Sequence, residues 1–355
     1  MGPAGDLLLP RARWASRGAV LGALALSAIP VARGPRAREA VTLAALALGM
    51  PHGAADTELL RVCARGSRGR HAGLLAGYAG LALLATAVIE RSDRRARPLL
   101  LIMSAVHFAE GEDACWASDP SPAGHLLRRV GAMVTSVGLP ALRVADGSAD
   151  TSGAFPASAA PAPRATARSS PVVAAGTAAA ALVAAMWARG DRAAAADTAL
   201  LTALDLLAPP PLAFAAYFGG WHALRHTARL DDELVASGQL APRRGLSAAV
   251  VDLARRSAWA AGVGVAGAGA LAVHASRTGR SPSRQALAGV LGLTVPHLLT
   301  VAAILPTRPR GQPNSPTATD THRYAPPRRR STGSCTGWLR PPARSPLGQA
   351  APRGR

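Results

Sequence analysis

The chain has 355 residues, 49% of them apolar, 17% charged and 4% aromatic, which excludes a disordered chain and leaves either two or three soluble domains or one polytopic membrane domain. The formal charge of +20 comes from 40 basic residues, every one of them Arg, against 20 acidic ones; the absence of Lys marks a GC-rich coding bias, and no nucleic-acid partner is expected. Ten Arg and one Asp lie in residues 306–355, and the remaining excess sits in short loops between apolar runs, the placement of charge that flanks membrane spans.

In chain order, residues 1–17 read as a basic N-terminal segment. The run GAVLGALALSAIPVA between Arg17 and Arg33 then reads as a first membrane anchor rather than a cleaved signal, because apolar runs continue after it. Those runs cover 39–50, 72–89, 98–109, 130–142, 171–187, 195–221, 257–275 and 285–305. Several are shorter than the ~20 residues that cross ~30 Å of hydrocarbon. Three of them, 72–89, 171–187 and 257–275, are nevertheless apolar all round, and the chain holds too little polar helix to shield such helices from water. The expected fold class is therefore all-α: a polytopic integral membrane helical bundle of about seven to nine transmembrane or half-spanning helices over residues 18–305. Its expected location is the bacterial plasma membrane, with lipid as partner.

Residues 146–170, rich in Ser, Ala, Pro and Thr, read as a flexible loop, and 227–244 as a short surface helix bounded by Pro242. Residues 306–355 carry ten of the 29 prolines and no apolar periodicity, the composition of a disordered tail. Cys63, Cys115 and Cys335 have no spacing that would form a thiolate metal site.

The informative residues are histidines. Nine are present, and five stand in or beside apolar runs: His52 in GMPHGAADTELL, His107 in SAVHFAEGED, His222 and His226 in YFGGWHALRH, and His297 in GLTVPHLLTV. Ionisable groups at membrane depth are costly and face the bundle interior, where they pair or bind something. His222 and His226, four apart, share one face of a helix about one turn from each other, a chelating geometry. Asp56 follows His52 by four residues and Glu110 follows His107 by three, so each carboxylate is expected beside an imidazole as an outer partner of a metal site. Pro51 and Pro296 interrupt the helical ladder next to His52 and His297, and irregular backbone at such depth is tolerated where it lines a cavity. Imidazole donors suit Fe, Zn, Cu or Ni, and the residues alone do not select one. The histidines are too few for the eight-histidine di-iron pattern of membrane desaturases, and no HExxH element is present, so a mononuclear site remains.

At these motifs the sequence resembles the Brp/Blh family of bacterial and archaeal β-carotene 15,15′-dioxygenases. PHGAAD around His52, HF around His107, YFGGWHALRH around His222 and His226, and TVPHLLTV around His297 occur in family order over residues 39–305. Ala109 and Glu110 depart from the Gly that usually continues the HF motif. The resemblance implies a non-haem iron dioxygenase that uses O2 to cleave the central double bond of β-carotene to two molecules of retinal. Fe(2+) would be held by His52, His107, His222 and His226. Asp56, Glu110 and His297 would lie outside the ligands, and Phe108, Tyr217, Phe218 and Trp221 are candidates to pack on the polyene. Two other classes compete on the same residues: a haem-binding membrane electron carrier with paired axial histidines, and a transporter or proton pathway using intramembrane His and acids without metal.

Overall fold

The computed structural model describes residues 8–29, 40–41, 44, 49, 52–91, 93–116, 121–145, 170–236, 240, 245–279 and 282–304. All elements among them are helical, without a strand. The apolar run 39–50 for the most part, the loop 146–170 apart from its last residue, and the tail 306–355 lie outside the described residues.

Helix α1 runs Leu8–Ser27. Its buried stripe of Leu8, Ala12, Ser16, Val20, Ala23 and Ser27 advances three or four residues at a time, so small side chains let its backbone lie close to the core. Its first turn is held by Asp232, whose Oδ1 and Oδ2 accept from the Leu8 and Leu9 N–H groups at 3.0 and 3.2 Å, an acid placed where orphan donors and the positive end of the helix dipole meet. The helix thus begins inside the stretch read from sequence as a basic segment, and half of that stretch packs against the bundle.

Next come α2 (Asp56–Cys63), α3 (Arg68–Arg91), α4 (Asp93–Ala114) and α5 (Pro122–Met133). Ser121 caps α5, accepting from the Gly124 N–H at 3.3 Å, with Pro122 at the first position, where no amide hydrogen is missed. A π-helical turn, Val134–Gly138, leads into α6 (Leu139–Ala145). Helices α7 (Ser170–Ala188) and α8 (Arg192–Leu207) form a hairpin whose second member is capped by Asp191. The expected run 195–221 is broken at Ala208–Pro209, because consecutive prolines cannot continue the hydrogen-bond ladder. The chain restarts as α9 (Pro210–Ala215), opens into a second π turn (Ala216–His222) and closes again as α10 (Ala223–Ala236).

Helix α10 corrects the reading of 227–244 as a surface helix over residues 227–236; residues 237–239 and 241–244, with the bounding Pro242, lie outside the described residues. Thr227, Ala228, Leu230, Asp231 and Leu234 are buried, packing with Leu59 and Leu253 on one side and with Leu8, Ala12 and Ala249 on the other. Acidic residues Asp232 and Glu233 gave the segment its polar look, yet one serves as the cap of α1.

Helices α11 (Leu246–Arg277) and α12 (Pro282–Ile304) complete the fold, with α12 lying along both α3 and α11. Among the described residues three helices are long and apolar enough to cross a membrane: Arg68–Arg91, Pro171–Ala188 and Leu246–Arg277. Their outward faces carry Leu83, Leu84, Val88, Val173, Val263 and Val265, side chains that lipid rather than water would cover. Trp14 and Trp187 are exposed beside Arg17 and Arg192, the arginines 5.0 and 5.6 Å from the ring centres, the pairing found at membrane–water boundaries.

Close approach of α12 to α3 needs Gly292. A Cβ there would stand 2.9 Å from the Ala82 carbonyl oxygen and run into the Thr86 side chain. Gly292→Val is expected to destabilise the fold by about 1–3 kcal/mol through overpacking, read as a lower unfolding temperature of the solubilised protein; an unchanged transition contradicts this contact.

Candidate metal centre

Five histidines come together from four stretches of the chain. His52 lies in the turn before α2, His107 in α4, His222 at the end of the second π turn, His226 in α10 and His297 in α12. All five are at most 6% exposed. Ring centroids of His226 lie 5.6 Å from His52, 6.1 Å from His107, 5.7 Å from His222 and 5.3 Å from His297. Around it, His52 is 5.2 Å from His222 and 5.4 Å from His297, and His107 is 5.3 Å from His222 and 4.9 Å from His297.

Two of the rings have a fixed tautomer. His52 Nδ1–H donates to the Gly49 carbonyl. His297 Nδ1–H donates to Asp56, with 2.9 Å to Oδ2 and 3.1 Å to Oδ1. Carbonyl and carboxylate oxygens only accept, so each Nδ1 carries the proton and each Nε2 is left as a lone pair. The Nε2 atoms of His107, His222, His226 and His297 are all buried without a hydrogen-bond partner.

These observations test the fit of a metal ion. With a metal–nitrogen bond of about 2.1 Å a ring centroid sits roughly 3.2 Å from the ion, so two imidazoles on one ion stand roughly 4.5 Å apart when adjacent and roughly 6.4 Å when opposite. The observed 4.9–6.1 Å separations fall between those limits. Among the described residues no group of three or more His, Cys, Asp or Glu is placed to hold a metal ion as the side chains stand; the rings are gathered but not closed on a common point. Orphaned, buried imidazole nitrogens at this spacing fit a cation.

The candidates named from sequence fall into different places. Asp56 is buried, but it holds His297 rather than His52, and it also accepts from the Tyr78 hydroxyl at 2.8 Å. His297, expected outside the ligand set, stands among the other four rings. Glu110 is exposed. It continues the outward stripe of Leu99, Ile102 and Val106 on α4, so a spacing of three residues from His107 places it past the edge of the buried face.

Phe108 packs with its ring centroid 4.6 Å from His222 and 5.3 Å from Tyr217, and Phe218 lies 5.3 Å from His52. Phe214, not singled out in the sequence, stacks on Phe218 at 5.4 Å and 6° between planes. These four rings form the apolar wall of the centre. Trp221 shares a core cluster with Tyr217 and Phe108; fully buried, it donates Nε1–H to Glu112 Oε1 at 2.9 Å and carries the Arg225 guanidinium 3.5 Å above its ring.

That tryptophan is part of a buried ion network. Arg225 NH1 meets Glu112 Oε2 at 2.9 Å, NH2 meets Asp197 Oδ2 at 3.0 Å, and Nε donates to Ser16 Oγ at 2.8 Å. Arg17 Nε reaches the other Asp197 oxygen at 2.6 Å. Arg225 precedes His226 by one residue, Trp221 precedes His222 by one, and Glu112 is on the helix of His107, so these bonds lock the two histidine-bearing helices in register.

A family model described as beta-carotene 15,15'-dioxygenase matches residues 43–304, a span that contains all five histidines. The chain belongs to that family. No curated protein and no solved structure matches it.

Removing one partner of a buried ion pair leaves an uncompensated charge. Arg225→Leu, which leaves Glu112 without a cation and Asp197 with Arg17 alone, is expected to destabilise this β-carotene 15,15′-dioxygenase family member by about 3–5 kcal/mol, measured by thermal unfolding in detergent; wild-type stability contradicts the network.

Proposed function

We propose that the protein is a multi-pass membrane enzyme of about seven to nine transmembrane or half-spanning helices that cleaves the central double bond of β-carotene with O2 to give two molecules of retinal. The observation that carries this reading is the convergence of imidazoles with orphaned Nε2 atoms in a chain of this family. His52, His107, His222 and His226 would hold Fe(2+). When bound, the ion supplies a site where O2 is activated beside an olefin without an organic cosubstrate.

The balance of the reaction is simple. The C15=C15′ bond breaks, each of its carbons takes one oxygen atom of O2, and no proton or further electron is needed. The protein therefore has no acid or base to provide; it positions a rigid polyene against the centre and excludes water. Phe108, Tyr217, Phe214 and Phe218, packed beside His222 and His52, would grip an apolar chain. Glu112 and Arg225 hold the helices of His107, His222 and His226 without touching substrate.

β-Carotene is about as long as the ~30 Å hydrocarbon core is thick, and it dissolves in lipid, not water. A helical bundle with leucine- and valine-lined outer faces suits lateral access from the bilayer. Packing of five rings at 4.9–6.1 Å argues against the haem carrier, because a porphyrin needs an open plane between its axial ligands and here other imidazoles occupy it.

Expression in a β-carotene-accumulating bacterium is expected to bleach the cells and release retinal, read by chromatography. His222→Ala and His226→Ala should each abolish retinal while the protein still inserts. Wild-type retinal formation by either variant, or coloured cells with well-expressed wild-type protein, contradicts the proposal.

A further inference from the structure

His297 differs from the other four histidines in being anchored by a carboxylate. Asp56, 1% exposed, comes from α2; Tyr78, whose hydroxyl donates to Oδ2 at 2.8 Å, comes from α3; His297, whose Nδ1–H donates to both oxygens, comes from α12. Three helices thus converge to hold one ring. The result is a chain Tyr78–Asp56–His297 that ends on a bare Nε2 lone pair, buried, without a partner, and aimed among rings 4.9 Å (His107), 5.3 Å (His226) and 5.4 Å (His52) away.

We infer that His297 is itself a direct donor to the metal centre formed by His52, His107, His222 and His226, and that Asp56, backed by Tyr78, is the positioning residue that fixes its tautomer. The inference rests on the metalloenzyme reading above and extends its ligand set. A role as hydrogen-bond partner beside the centre would need a donor facing Nε2. With Nδ1 already protonated, Nε2 can only accept, and the Nε2 atoms of the neighbouring His107 and His226 rings are themselves without partners. A cation satisfies such buried, unpartnered ring nitrogens together, and a carboxylate behind the ring makes the imidazole a stronger base toward it. Gly292 serves the same end, since it lets α12 approach α3 and so brings His297 within reach of Asp56 and Tyr78.

The test uses full-length protein in lipid nanodiscs, stripped of metal and titrated anaerobically with Co(2+), whose visible spectrum reports its ligands. Wild type is expected to bind and to colour. His297→Gly should weaken Co(2+) binding about 100-fold or more and alter the spectrum, and added free imidazole should restore both, which a purely structural loss would not permit. Asp56→Ala should weaken binding by about 10–100-fold, with Asp56→Asn, which keeps an acceptor oxygen for Nδ1–H, recovering most of it.

A second measurement needs no variant to fold. In ¹⁵N-histidine spectra of the wild type, addition of diamagnetic Zn(2+) should move a ring nitrogen of all five buried histidines, not four, to the shift of a metal-bound imidazole nitrogen. Unchanged Co(2+) affinity and spectrum in His297→Gly, or metal-bound nitrogen shifts for the other four histidines only, overturns the assignment of His297 and leaves the metal reading standing. A wild type that binds neither Co(2+) nor Fe(2+) overturns both.

Discussion

Lone pairs on buried imidazoles are the constraint to which the rest of the molecule answers. An unmet buried hydrogen-bonding group costs about 1–3 kcal/mol, and four such Nε2 atoms lie together here. A bound cation would satisfy the whole set at once. The surrounding polar contacts turn the rings inward. Gly49 and Asp56 take the Nδ1 protons of His52 and His297, so both rings present a base to the centre.

Position follows from a second set of interactions one turn away. Glu112 joins Trp221 and Arg225, and Arg225 joins Asp197, which in turn holds Arg17. Charges of opposite sign are thus closed into a network in the interior, while Leu and Val cover the outside. Such a bundle is inverted relative to a soluble protein, with ions within and hydrocarbon without, and this is the form expected of a chain whose solvent is lipid. The second π turn contributes directly, since it delivers Tyr217, Phe218, Trp221 and His222 in a single widened turn, and π turns recur at functional sites.

The five histidines are legible in the sequence because imidazole inside an apolar run needs a reason, and the motifs around them carry the family. The helical fold class is legible from runs apolar on every side. Pairings across the chain are not. Helical spacing pairs Asp56 with its neighbour His52, whereas its partner His297 lies 241 residues away. Spacing likewise favours Glu110 over Glu112, because three residues fit one turn; the outward stripe of α4 becomes visible only when its neighbours are placed. Arg225 is hidden among 40 arginines, where no single one stands out, and the bond from Trp221 to Glu112 is invisible in the sequence because the two stand on different helices, 109 residues apart. The π turns break the 3.6-residue period on which sequence reading depends.

The central claim is that these imidazoles share one metal ion, and the most direct measurement is the metal content of wild-type protein purified anaerobically in mild detergent, together with its absorption spectrum. The account predicts about one iron per chain and no haem Soret band. Protein that retains its fold and its five histidines yet carries no transition metal and takes up none on incubation would contradict it.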